Sequence, residues 1–247
     1  MVYAGLTFII AFVAIITFFR VVGWTTSLWY YVPLMATAAV CFDAVSATFR
    51  RGPVSVIGIW CVAIIAALFT APLTYRASAV RLTNADLMTA EVAGHAEASD
   101  LIVVDNCFYA ISFNRYYHGQ TPWVAVPNLK DLTLHRWDLL TDRMREPQPI
   151  QPVLERIDQT LKDGHNVFVV GFAPTKRPPG PPPELPPAPA SNSGWNLWPY
   201  MGTWTRQIAY VAQTHAARGR IISVHSSQPI SIGEDLNAFV VSGWRGP

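Results

Sequence analysis

The sequence predicts three transmembrane helices followed by a soluble α/β domain, three-layered, around a mainly parallel sheet. Three observations carry this. Residues 1–75 hold only Arg20, Asp43, Arg50 and Arg51 out of 18 Lys and Arg and 16 Asp and Glu. Those same residues contain three long apolar runs. Beyond them, LIVV, VFVV and IISV each follow a helix-like segment and a small-residue break. Continuous apolar runs of that length mark strands buried on both faces, as in a parallel sheet covered by helices.

The expected organisation is a membrane part, residues 1–75, and a globular part, residues 76–247. The first run, Val2–Phe19, is closed by Arg20. The second, Trp24–Ala47, is interrupted by Pro33, and the third lies between Pro53 and Pro72. At ~1.5 Å of rise per residue, each can cross a hydrocarbon core of ~30 Å. The first run has no basic lead and no clear small-x-small site, and two further runs follow, which argues against a cleaved signal peptide. Arg50 and Arg51 place the second connection in the cytoplasm, and hence the globular part outside it. Arg20, Arg76 and Arg81 then fall on the outer side and weigh against that sidedness. Trp24, Trp29, Tyr30, Tyr31 and Tyr75 suit an interfacial belt. Asp43, an acid within a span, is expected to pair with the nearby arginines at the interface.

The chain is 51% hydrophobic and 14% charged, against roughly 25% charged in an average soluble protein. Acidic and basic side chains balance in residues 76–247, so there is no electrostatic case for nucleic acid. About 170 residues suffice for one core. Thr83–Ala98 reads as a helix, with Thr83 and Asp86 placed as a capping pair. Leu101–Asp105 is the first strand, and Trp123–Val126 is a possible short one. Pro152–Asp163 sets Val153, Ile157 and Leu161 on one helical face, stopped by Gly164 and followed by strand Asn166–Gly171. Thr203–Arg218 reads as a third helix, stopped by Gly219 and followed by strand Ile221–His225. Ala238–Ser242 reads as a strand at an edge.

Residues 178–190, PPGPPPELPPAPA, carry eight prolines. They can form neither a helix nor an inner strand and are expected to be an extended, solvated excursion. Trp195, Trp198, Tyr200 and Trp204 follow, and either pack back onto the domain or dip into the bilayer surface. Cys41 and Cys61 lie in the apolar runs, which leaves Cys107 alone in the globular part, as a small apolar residue at a strand end. No paired Cys or His at ligand spacing indicates a metal, and no cofactor is expected.

In open parallel sheets, ligands bind beyond the carboxyl ends of the strands. Asp105 and Asn106 stand at such an end. The following Phe108–Tyr117 then offers aromatic faces to a sugar, and Arg115 and His118 offer groups for a phosphate or hydroxyl. The substrate-binding candidates are Asp105, Asn106, Tyr109, Arg115, Tyr116 and His118. The competing reading makes Phe108, Ile111 and Phe113 or Tyr117 plain core, with Arg115 outside. Asp105, His225 and Ser226 are the residue types of a hydrolase, but no G-x-S-x-G elbow accompanies them.

The strings RLTNADLMTAEV, DLIVV and ISFNRYYHGQTPW, together with the terminal apolar helices, resemble the C-terminal part of bacterial family 39 membrane glycosyltransferases, the protein mannosyltransferase and aminoarabinose transferase type. The resemblance covers about residues 1–170. It implies a GT-C fold, a polyprenyl-phosphate-linked sugar donor, a multi-pass position in the bacterial inner membrane and a periplasmic domain. That family has more spans and a catalytic acid in its first outer loop. Here the corresponding loop, Arg20–Gly23, has no acid. The resemblance therefore implies a C-terminal portion without the base that activates the acceptor hydroxyl, partnered by an upstream-encoded membrane portion. The alternative is a membrane-anchored glycan-binding or assembly module without catalysis.

Overall fold

The computed structural model describes residues 2–22, 31–49, 53–172, 174, 180–182, 184–188, 197–231 and 233–246. They fall into two compact units, one within residues 2–78 and one from residue 79 onward.

The first unit holds α1 (Val2–Val22), α2 (Val32–Phe49) and α3 (Pro53–Ser78). Val2–Val21 and Ile57–Ser78 have mean hydropathies of 2.4 and 2.1, and each is long and apolar enough to cross a membrane. Their side chains are almost wholly uncovered, with 6% and 0% of the apolar stretch buried. A helix that is apolar all round and not covered by protein needs another apolar surrounding. The apolar part of α2, Val32–Ala47, is shorter. Helix α3 does not stop at Pro72 but runs through it to Ser78. Around the proline, Thr70 Oγ1 donates to the Ala66 carbonyl at 2.9 Å and Thr74 Oγ1 to the Thr70 carbonyl at 3.0 Å. Trp24–Tyr30 and Arg50–Arg51, which carried the start of the second run and the sidedness, lie outside the described residues.

The second unit runs α4 (Ala85–His95), β1 (Leu101–Asp105), α5 (Cys107–Tyr116), β2 (Trp123–Val126), α6 (Trp137–Arg145), α7 (Gln151–Lys162), β3 (Val167–Val170), α8 (Leu197–His215), β4 (Ala216–Ile222) and β5 (Ala238–Trp244). The sheet order is β2-β1-β3-β5-β4. Strands β2, β1 and β3 are parallel, whereas β5 is antiparallel to both β3 and β4. The sheet is therefore mixed, with its parallel part at the core.

Every residue of β1 and β3 is buried. Side chains alternate across a pleated strand. Ile102, Val104, Phe168 and Val170 thus enter one cluster with Met88 and Val92 of α4 and Ala110 and Phe113 of α5.

The third helix-and-strand repeat differs from expectation. Helix α8 begins at Leu197 and ends at His215, and Gly219 lies within β4. Pro199 falls in the first turn of α8, where a missing N–H costs nothing. Strand β4 pairs only with β5, and its middle five residues are exposed. A side chain at Gly219 would sit 2.6 Å from the Phe239 ring, so the glycine serves close strand packing, not a helix stop. Strand β5 lies inside the sheet, and β4 is the edge. Exposed arginines 218 and 220 on that edge oppose pairing with another strand.

The start of α4 also differs from a capping box. Thr83 Oγ1 accepts from the Ala85 N–H at 2.9 Å, and Arg81 takes the Asp86 carboxylate. Asn84 is fully buried. Its Nδ2 donates to the Leu236 carbonyl (2.9 Å) and to Asp235 Oδ1 (3.0 Å), and its Oδ1 accepts from the Leu236 N–H (2.7 Å). One amide thus fastens α4 to the segment entering β5. Asn84→Ala leaves the buried Leu236 amide groups without partners and should cost about 3 kcal/mol. Urea unfolding of the chain in micelles checks this, and a loss under about 1 kcal/mol would show that water replaces the amide.

Candidate functional site

From β1 the chain crosses through α5 to β2 on one side, and later returns through α6 and α7 to β3 on the other. The carboxyl ends of β1 and β3 therefore flank a topological switch point, where open α/β sheets place ligands. Asp105 and Gly171 stand there side by side.

Asp105 is 4% exposed. Its Oδ1 accepts from Thr205 Oγ1 of α8 at 3.1 Å, and the Asn106 N–H also bonds to it. Burial outweighs these bonds and pushes the carboxyl up from 3.8 to about 7. Asn106 follows with φ 83° and ψ 114°, and among the described residues it is the one non-glycine with positive φ. Its Oδ1 accepts from the Phe108 N–H at 2.9 Å and so starts α5. Backbone in such a region costs on the order of 1–3 kcal/mol.

Gly171 closes β3 with φ 86°. A Cβ there would lie 2.8 Å from the Asp105 carbonyl and 2.7 Å from the Tyr109 ring, so glycine is what lets Tyr109 lie against the strand end. Tyr109 is half-buried, and its phenol is raised first by burial, then by the negative charges of Glu234 and Asp105. Glu234 accepts from Ser112 Oγ at 3.3 Å. The arrangement provides a carboxyl that gains or loses a proton near neutral pH and a phenol held in its donor form.

The six predicted residues divide into two groups. Asp105, Asn106 and Tyr109 meet at the start of α5. Arg115, Tyr116 and His118 lie at or just past its other end, exposed, with the Arg115 guanidinium 5.8 Å from the Tyr116 ring centre. A ten-residue helix separates its ends by ~15 Å. The aromatic residues named as possible core divide as well. Phe113 and Tyr117 are buried and stacked at 4.9 Å, while Phe108 packs on His135 and Trp137 at 5.3 and 5.2 Å.

Thr205, Gly171 and Glu234 complete the site and were not among the expected residues. They are distant in sequence, and Thr205 and Glu234 carry no local signal. Ser226 accepts from the Gln228 N–H at 3.2 Å and His225 is exposed. Cys107 is 2% exposed, and burial pushes its thiol up to about 12, as befits a core residue. Among the described residues no group of three His, Cys, Asp or Glu is placed to hold a metal.

Comparison with protein-family models, with curated proteins and with solved structures finds no match. The resemblance to family 39 enzymes therefore rests on the sequence strings and the terminal apolar helices alone.

The Asp105 pKa makes a prediction with a definite sign. The native carboxyl binds its proton more tightly than the unfolded one, so stability is full below about pH 4 and falls as pH rises toward 7. Asp105→Asn keeps an acceptor for Thr205 and removes the ionisation. The variant should lose that pH slope and exceed the parent at pH 8 by at most about 4 kcal/mol. Parallel stability curves from pH 4 to 8 would show an ordinary, ionised Asp105. In the same site Gly171→Ala should destabilise by about 2 kcal/mol or more, and a cost near zero would remove the argument for Tyr109 packing.

Proposed function

We propose that the chain is the C-terminal portion of a polytopic membrane glycosyltransferase, in which the α/β unit holds the sugar end of a polyprenyl-phosphate-linked donor or its acceptor. In this reading α2 spans the bilayer with α1 and α3. The α/β unit is three-layered and periplasmic, and the protein resides in a bacterial inner membrane. Acceptor activation comes from an upstream-encoded membrane portion.

The observation that carries the reading is one chain joining two membrane-length helices to a sheet whose switch point collects Asp105, Asn106, Tyr109 and Thr205. Hydroxyl-rich ligands need donors and acceptors together, and these side chains supply both. Arg115 and His118 stand at the far end of α5, ~15 Å along the helix from Asn106, and suit a phosphate group more than a sugar ring.

A second reading is an anchored glycan-binding or assembly module that performs no transfer. The second unit favours it by having its own continuous core, from α4 through β5.

The test uses the full chain in lipid nanodiscs and a short-chain polyprenyl-phosphate hexose. Saturable binding is expected, weakened about tenfold by Tyr109→Ala and by Arg115→Ala. Transfer to an acceptor should appear only on co-expression with the upstream membrane portion. Binding of free glycan without transfer in that pairing selects the second reading. No saturable binding of either ligand overturns both.

A further inference from the structure

A cavity in the second unit lies away from Asp105. It measures about 220 Å³ and is walled by helix α8, the first turn of α7 with the bend before it, and part of the proline-rich segment. Tyr200, Thr203, Trp204 and Gln207 face it at the spacing of one helical stripe. Within the proline-rich segment, residues 184–188 are not the free excursion expected of it. Ala188 is 6% exposed and its N–H donates to the Met144 carbonyl at 2.7 Å, which draws Glu184–Pro187 over the opening.

We propose that this cavity is a binding site for an uncharged, hydroxyl-rich ring of the size of one monosaccharide. The inference does not rest on the Asp105 crest or on a lipid carrier. The lining selects the ligand class. Among the described residues no basic side chain lines the cavity. The start of α7 cannot replace one. The N–H groups of Gln151, Val153 and Leu154 are bonded to Gln148 and Ile150 carbonyls at 3.3, 2.9 and 3.1 Å, and Pro152 has none. The Arg206 guanidinium reaches Thr203 Oγ1 at 3.4 Å without itself lining the cavity, so an anion finds no direct ion-pair partner on the described walls. Cations find little either, because the Glu146 carboxylate is held by Arg143 at 2.9 and 3.0 Å, and Glu184 stands exposed at the rim.

What remains suits a ring with hydroxyls on its edge and C–H groups on its face. Pro147, Pro149, Pro186 and Pro187 give flat apolar walls, with Tyr200 and Trp204 tilted at 58° and 6.3 Å apart. Gln148 and Gln207 give donors and acceptors without charge, while Gln151 Nε2 already donates to Glu155 at 3.0 Å and Thr203 Oγ1 already accepts from Arg206 at 3.4 Å, which leaves the Gln151 carbonyl and the Thr203 hydroxyl hydrogen to a ligand. The volume lies below the ~300–1,000 Å³ of sites for larger ligands, so a single ring fits and a dinucleotide does not.

The experiment is saturation-transfer NMR on the full chain in nanodiscs free of glycolipid, since alkyl-glycoside detergents carry the probed group. The probes are methyl glucoside, methyl mannoside, glucosamine and glucose 1-phosphate. Saturable binding of a methyl glycoside is expected, about tenfold tighter than either charged probe. Gln207→Ala and Gln148→Ala should each weaken it about five- to tenfold, with unfolding curves close to the parent because neither side chain is buried. No saturable glycoside binding, equal binding in both variants, or preference for a charged probe each overturns the proposal. Because none of these probes has a polyprenyl tail, their failure leaves the carrier-binding test independent, and the reverse holds too.

Discussion

Burial of β1 and β3 on both faces is the constraint from which the rest of the α/β unit follows. Every peptide group in these strands must find its partner in the ladder, because none reaches water. That requirement needs a neighbour on each side, which β2 and β5 supply. It also pushes polar side chains to the strand ends. Strand β1 is bracketed by Asp100 and Asp105, both nearly inaccessible. Their surroundings differ. Asp100 accepts three N–H bonds, from Glu97 N, Asn166 N and Asn166 Nδ2, and thereby ties the turns before β1 and β3 together. Asp105 has a hydroxyl and one backbone N–H, and burial prevails over them. The amino end of the strand is built for stability and the carboxyl end is not.

The same constraint explains which elements were legible in the sequence. Strands β1 and β3 stand out because two-sided burial writes a continuous apolar run, bounded here by Asp100 and by Gly171. Helix α7 was legible from Val153, Ile157 and Leu161, all buried. The pattern failed at β4. AARGRII is an exposed edge, where small and charged residues are tolerated and helix and strand periodicities both fade. Gly219 then imitated a helix stop, although its role depends on Phe239 of the next strand. Antiparallel pairing of β5 left no trace in composition either. Helix α6 was missed because its nine residues carry four charges, and only Leu140, Thr141 and Met144 are buried.

The candidate site was half legible for a related reason. The carboxyl-end rule reaches Asp105, Asn106 and the first turn of α5, since these follow the strand directly. It does not extend along the whole stretch, because the helix carries Arg115, Tyr116 and His118 away from the switch point. Partners from other elements were out of reach. Thr205 stands 100 residues beyond Asp105, and only the fold brings α8 across β1. The docking of the proline-rich segment was equally hidden, since its composition dictates an extended chain but says nothing of what that chain packs on.

Three separate costs converge at the end of β1. Asp105 is held in a place that disfavours its charge. Asn106 holds a backbone conformation that L-residues avoid, and Gly171 brings the end of β3 too close for any side chain. Each has a simpler alternative: an apolar residue for Asp105, a glycine for Asn106, a wider turn for Gly171. A fold optimised for stability alone has no use for all three within contact distance of one tyrosine. Local compromises of this kind persist where the surrounding structure over-determines them, and they gather at sites that act on something. The cavity beside α8 shows no such compromise among its described walls: its helix turn is satisfied, the Glu146 carboxylate is paired with Arg143, and Glu184 is exposed to water. The two places thus differ in kind, one strained around a buried carboxyl, the other relaxed.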